Sequence, residues 1–243
     1  MIKVSGLTKT FNGDIVLSGL DLEVQSAETL VILGSSGTGK SVLLKHLIGL
    51  MKPDGGTIEI DGVNIAGLGE QELLKIRKNT GYLFQEGALY DFMNTFDNIA
   101  FPLREHTDWK FSAVAARVRE VLKMVDLEDV EEKFPSELSG GMKKRVGLAR
   151  AIVMGAKVLF CDEPTSGLDP IRSRHISDLI FRISKQIKST TVITSHDIEN
   201  SFRIADRLAI LDEGRILAIG TKAELKSSTI PFVQEFLGIS VAK

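Results

Sequence analysis

The stretch that decides the fold is Gly34-Ser35-Ser36-Gly37-Thr38-Gly39-Lys40-Ser41. It fits the spacing G-x-x-x-x-G-K-[ST]. Its glycines let the backbone curl so that successive N–H groups point inward, where they can meet phosphate oxygens. Just before it, Thr29–Leu33 reads as a buried apolar strand. Just after it, Ser41–Leu50 carries apolar residues at helical spacing, and the start of that helix adds the positive end of its dipole. Lys40 can reach the β- and γ-phosphates of a nucleotide, and the Ser41 hydroxyl can ligate Mg²⁺. Average residue frequencies give such a match by accident about one time in a hundred in a chain of 243 residues. The strand before and the helix after lower those odds further, so nucleotide binding is expected.

Working outward, Ile15–Val24 alternates apolar and polar as a half-exposed strand does, and Thr57–Ile60, Asp61-Gly62 and Val63–Ile65 read as a hairpin. Glu70–Arg77 reads as a short helix, Thr80–Phe84 as a strand, and Phe111–Val125 as a helix with Ser112 as its N-cap. Pro135 breaks the chain before Leu138-Ser139-Gly140-Gly141, and Met142–Met154 is again helical. From Lys157 onward strands (Val158–Cys161, Thr190–Thr194) alternate with helices (Ile171–Ile187, Ile198–Ala205), and Arg207–Leu211 with Arg215–Ile219 closes as a hairpin. This alternation calls for a mainly parallel sheet with helices on its faces.

Composition bounds the function. Hydrophobic residues are 43% of the chain and charged residues 26%, a globular balance. Thirty basic against 32 acidic residues leave a charge of −2, which argues against a nucleic-acid partner. No apolar run approaches the roughly 18–20 residues of a membrane span. Met1-Ile2-Lys3-Val4-Ser5 lacks the basic start of a signal peptide, so a cytoplasmic chain is expected. The single cysteine, Cys161, lies in an apolar run and reads as a buried thiol. His46, His106 and His175 read as structural or surface residues, and Lys143-Lys144-Arg145 as a solvated helix face.

A second motif strengthens the first. Val158-Leu159-Phe160-Cys161-Asp162-Glu163 is a strand ending in two acids. Beside a phosphate loop, Asp162 is placed to support Mg²⁺ through water and Glu163 to orient or deprotonate an attacking water.

Leu138-Ser139-Gly140-Gly141 resembles the signature of ATP-binding-cassette (ABC) ATPases, and with it the whole chain falls into that family's order. The resemblance implies that Phe11 stacks on adenine, that Gln85 lies in the Q-loop touching Mg²⁺ or the lytic water, and that His196 senses the γ-phosphate. It implies that Ser139, Gly140 and Gly141 meet a γ-phosphate held by a second copy of the chain, with Met142 and Asp169 at the dimer interface. Ser139 is the expected N-cap that leaves the N–H groups of its helix free. Two residues depart from the family pattern: Met142 stands where Gln is usual, and Phe11 where Tyr is commoner. The implied fold is α/β, a P-loop NTPase cassette with a RecA-like core, an N-terminal antiparallel β subdomain and an inserted α-helical subdomain. Residues 1–85 and 156–220 would form the core with the β subdomain, 86–155 the helical subdomain, and 221–243 a tail. ATP and Mg²⁺ are the implied ligands.

The run from Phe84 to His106, with Gly87-Ala88-Leu89 and Met93-Asn94-Thr95-Phe96-Asp97-Asn98 inside it, is similar to ATPase subunits of Mla-type, MCE-associated lipid transporters. Pro135–Met142 and Phe232–Gly238 share the likeness. It implies an integral-membrane permease docking near Gln85–Arg104, with Leu89, Phe92, Met93 and Phe96 as candidate groove residues, and an MCE-domain lipid-binding protein in the complex. The chain would then sit at the cytoplasmic face of the inner membrane, held through the permease. A polar-solute importer shares every catalytic motif. An ABC ATPase acting on DNA or ribosomes is disfavoured by the single cassette and neutral charge, and a P-loop kinase has no use for Leu138–Gly141 or His196.

Overall fold

The computed structural model describes residues 1–238, so the end of the expected tail, 239–243, lies outside the described residues. In chain order the first strands are β1 (Ile2–Phe11), β2 (Asp14–Val24) and β3 (Thr29–Leu33), followed by helix α1 (Lys40–Leu47). Then come β4 (Gly55–Ile60), β5 (Val63–Asn64), α2 (Glu70–Arg77) and β6 (Thr80–Leu83). Helices α3 (Thr95–His106), α4 (Phe111–Met124) and α5 (Gly140–Ile152) precede β7 (Val158–Asp162), α6 (Pro170–Ile187) and β8 (Thr190–Ser195). The chain continues through α7 (Ile198–Ile204), β9 (Arg207–Asp212), β10 (Arg215–Gly220), α8 (Lys222–Lys226) and α9 (Pro231–Phe236). It divides into two compact units, one of Met1–Leu73 with the chain from Val192 onward, the other of Leu74–Thr191.

The first unit holds an antiparallel sheet of order β2-β1-β4-β5. Asn12 and Gly13 both have positive φ, the geometry that a two-residue hairpin loop needs to match the strand twist, and they join β1 to β2. Asp61 and Gly62 do the same between β4 and β5. The same unit contains the strand order β10-β9-β3-β8. β3 is buried along its whole length and runs parallel to β9, with Leu33 opposite Ile210. Both faces of such a strand are covered, which is why Thr29–Leu33 shows no alternation.

In the second unit β6 and β7 pair in parallel, Leu83 opposite Cys161. Helix α3 has no counterpart in the sequence reading. Pro102 sits inside it and its apolar pattern is short, which hides a helix capped by Asn94 through the Asp97 N–H at 2.8 Å. Ser112 does not cap α4; it lies in the first turn, after Lys110. Asn98 is fully buried and pins the loop before α3. Its Oδ1 accepts from the Tyr90 N–H (2.8 Å), and its Nδ2 donates to the carbonyls of Tyr90 (3.1 Å), Met93 (3.0 Å) and Asn94 (3.0 Å). Asn98→Leu keeps the volume but strands the Tyr90 N–H and the Met93 carbonyl. A loss of about 2–4 kcal/mol is expected in urea unfolding; an unchanged midpoint would show that the loop is held by other contacts.

Candidate nucleotide site

Each unit carries part of the expected site. In the first, the chain leaves β3 into Gly34, where a Cβ would stand 2.5 Å from the Leu211 carbonyl oxygen and 2.8 Å from Thr38 Oγ1, so only glycine fits. Gly39 has φ 99° and forms the N-cap of α1. These are backbone shapes that L side chains resist. Thr38 Oγ1 donates to the Ser35 carbonyl at 2.9 Å. The buried Lys40 ammonium lies along the loop, donating to the carbonyls of Gly34 (2.8 Å) and Ser35 (2.9 Å). A cation and a helix start, α1, thus share one loop, a set of groups that suits a chain of phosphates.

Phe11 ends β1 with its ring partly exposed and the Lys9 ammonium 5.4 Å from its centroid. His196 is exposed just past the C-terminal end of β8, between Ser195 and Asp197. Ser195 Oγ accepts the Asp197 N–H at 2.9 Å, and Asp197 caps α7 by accepting from Asn200 N at 3.0 Å. The His46 ring is buried, its Nδ1–H donating to the Val42 carbonyl at 2.7 Å; burial holds its pKa below the ordinary value. That fits its structural reading.

In the second unit β7 delivers Asp162 and Glu163, both buried. Tyr82 on β6 donates its hydroxyl to Asp162 Oδ2 at 3.3 Å, and burial beside that carboxylate raises its pKa. The sequence reading missed Tyr82. It stands opposite Phe160 in the strand paired with β7, and no sequence pattern marks it. Glu163 has φ 44°, a left-handed conformation that costs a non-glycine residue about 1–2 kcal/mol. Gln85 Nε2 donates to Ser166 Oγ at 3.1 Å, and the Ser166 N–H donates to the Glu163 carbonyl at 3.0 Å. Gln85, Ser166 and the Glu163 backbone are therefore linked in one chain of hydrogen bonds.

Ser139 caps α5, its Oγ accepting from the Met142 N–H at 3.3 Å, and in the first turn Gly140 is exposed and Gly141 half-buried. Asp169 caps α6 by accepting from the Arg172 N–H at 3.0 Å, and that bond holds its carboxyl below the usual range. A cavity of about 420 Å³ opens beside the signature, lined by Ser139, Gly141, Met142, Arg145, Arg172 and His175 among others.

The basic run is not a solvated face. Lys144 is 5% exposed, and its Nζ donates to the Gln85 carbonyl at 2.7 Å. Burial pulls its pKa down, opposed by Glu86 and Glu163. Arg145 is half-buried and donates to the carbonyls of Val125 and Asp126, both at 3.2 Å, at the end of α4. Cys161 is buried, as read.

Comparison with known proteins agrees with this geometry. The family model described as ABC transporter matches residues 17–166. The chain is 45% identical over 236 residues to the probable ribonucleotide transport ATP-binding protein mkl of Mycobacterium leprae, covering 97% of this chain and 68% of that protein. It is 39% identical over 237 residues to the intermembrane phospholipid transport system ATP-binding protein MlaF of Haemophilus influenzae, covering 98% of this chain and 90% of the relative. The methionine import ATP-binding protein MetN of Carboxydothermus hydrogenoformans is also 39% identical, over 247 residues, 100% of this chain and 73% of its own. The solved dimeric post-hydrolysis state of the ATP-binding cassette MJ0796, bound to ADP and Pi, matches with a TM-score of 0.84 and 30% identity over 91% of this chain and 98% of that one.

The fold is that of an ATP-hydrolysing α/β cassette. The chain belongs to the ABC transporter family, as an ATP-binding subunit.

The strain at Glu163 gives a stability test. Glycine usually destabilises relative to alanine by about 0.5–1 kcal/mol. At a left-handed position the order reverses. Glu163→Gly is expected to unfold at higher denaturant than Glu163→Ala, by about 0.5–1 kcal/mol, because both lose the same carboxylate and only alanine keeps the strain. The usual order would mean that Glu163 is not strained in solution.

Proposed function

We propose that this chain energises phospholipid movement through a separate membrane permease, working as a pair of copies with an MCE-type lipid-binding protein in the complex. The observation that carries the reading is the segment Phe84–His106. It pairs the Mla-like sequence with a groove of about 600 Å³ in the second unit. Tyr82, Phe84, Tyr90, Phe101 and Pro102 give it an apolar wall, and Arg77, Lys78 and Arg150 a basic rim. Of the four residues expected in the groove, none is in its lining: Leu89, Met93 and Phe96 are half-buried and Phe92 is 76% exposed. Phe92 meets Tyr90 in a tilted ring contact with centroids 5.7 Å apart, so it extends the aromatic wall outward.

The roles follow from the chemistry of the side chains. Lys40 and the loop N–H groups bind the β- and γ-phosphates, and Phe11 offers its ring to adenine. Ser41, Gln85 and Asp162 bring oxygen donors, the ligand type that Mg²⁺ takes. When bound, that ion neutralises charge on the β- and γ-oxygens. Glu163 takes a proton from the attacking water, and His196 contacts the γ-phosphate. Ser139, Gly140 and Gly141 meet the ATP of the second copy, with Met142 and Asp169 alongside. Association with the inner membrane is peripheral, through the permease; among the described residues no helix is long and apolar enough to cross a membrane.

A second reading, an importer subunit for a polar solute, is favoured by the methionine-import relative at the same 39% identity as the phospholipid one. Purifying the chain with its native permease and identifying the bound cargo separates the two: phospholipid supports the proposal, and an amino acid or nucleotide overturns it. In the same preparation Phe92→Asp is expected to lower permease recovery, and full recovery would move the docking site elsewhere. For the chemistry, Glu163→Gln is expected to cut turnover by about 10²–10⁴-fold and to accumulate an ATP-bound dimer in size-exclusion chromatography. Undiminished turnover would remove Glu163 as the base.

A further inference from the structure

Helix α5 does more than present the signature at its first turn. Lys144, one turn into the helix, is buried and bonded to the Gln85 carbonyl at 2.7 Å. One turn further, Gly147 lies so close to the Q-loop that a Cβ there would stand 3.2 Å from both Gly87 Cα and Gly87 O. At the next turn Arg150 donates to the Gly87 carbonyl at 2.9 Å, with its guanidinium 5.6 Å from the Tyr90 centroid. The helix thus grips the backbone on both sides of Glu86. The Gln85 amide reaches the other way, to Ser166, whose N–H is bonded to the Glu163 carbonyl.

We propose that Lys144 is a positioning residue: its ammonium fixes the Gln85 carbonyl to the signature helix and so holds the Gln85 amide in register with the Ser166–Glu163 loop. A single buried cation does this because a charge-assisted bond to a carbonyl is strong, and because no other side chain of α5 is bonded to Gln85 among the described residues. Movement of the first turn of α5 is thereby transmitted to Gln85 through a contact about one turn long. The proposal rests on the role given above to Gln85.

The test is a double-mutant cycle in the full chain, read by steady-state ATP hydrolysis and by thermal unfolding. Lys144→Met keeps the stem and removes the donor. It is expected to lower kcat about tenfold, as a displaced catalytic group does, with the KM for ATP changed less than about twofold. In a Gln85→Ala background the same change is expected to alter kcat less than about twofold, since the backbone carbonyl remains but the amide it positions is gone. If Lys144→Met does not fold, Lys144→Gln, with a shorter donor, takes its place in the cycle. Should Gln85→Ala alone leave kcat unchanged, the role of Gln85 falls and the proposal with it. Should Gln85→Ala lower kcat and Lys144→Met add its full factor on top, or should Lys144→Met raise KM and leave kcat alone, the role of Gln85 stands and the proposal is overturned.

Discussion

A Cβ on Gly34 would stand 2.5 Å from the carbonyl oxygen of Leu211, and the first unit is organised around that lack of room. The phosphate loop can follow β3 so tightly only because β3 and β9 run parallel in the register Leu33–Ile210. The loop's far end is equally confined. A Cβ on Gly39 would lie 3.0 Å from the Val16 carbonyl, and one on Gly214 only 2.5 Å from the same atom. Strand β2 therefore passes between the loop and the β9–β10 turn, fastened by the Ser18 N–H donating to Gly214 at 3.0 Å. Two glycines of the loop and one of the β9–β10 turn let three backbones meet, and the start of α1 is fixed by that meeting.

The second unit uses polar side chains where the first uses glycine contacts. Asp162 and Glu163 stand at the end of a fully buried strand, β7, where an unpaired carboxylate is expensive. Tyr82 supplies a donor to Asp162, and the Glu163 backbone is tied to Ser166. Helix α5 holds the Q-loop, and Asn98 holds the loop beyond it. The groove proposed for the permease is built from the segment these bonds support.

Glycine spacing and acid placement made the Gly34–Ser41 loop, the strand ending at Asp162 and the helix capped by Ser139 legible as backbone shapes, because few sequences satisfy those backbone demands by accident. The hairpin at Asp61-Gly62 was legible for the same reason. What escaped was polar chemistry inside apolar surroundings. Lys144 stands in a run of three basic residues, and such a run reads as solvated; only the helical spacing to Gly147 and Leu148, both buried, marks Lys144 as the inward one. Asn98 and Tyr82 gave no pattern, since a single buried polar group is defined by its partners and those come from other segments. Helix α3 was hidden by Pro102, whose missing N–H a helix tolerates where packing holds it. The cargo escapes for another reason: relatives named for different cargoes resemble this chain to similar degrees.

The lone thiol has a practical consequence. Cys161 is completely buried in β7, immediately before Asp162, and burial keeps it in its unreactive protonated form. A thiol reagent can reach it only when β7 opens, so the rate of labelling measures the opening free energy of the strand that carries the acids. The unmodified protein therefore contains its own reporter. Comparing labelling rates with and without nucleotide would show how firmly ligand binding closes the centre of the second unit, with no probe introduced.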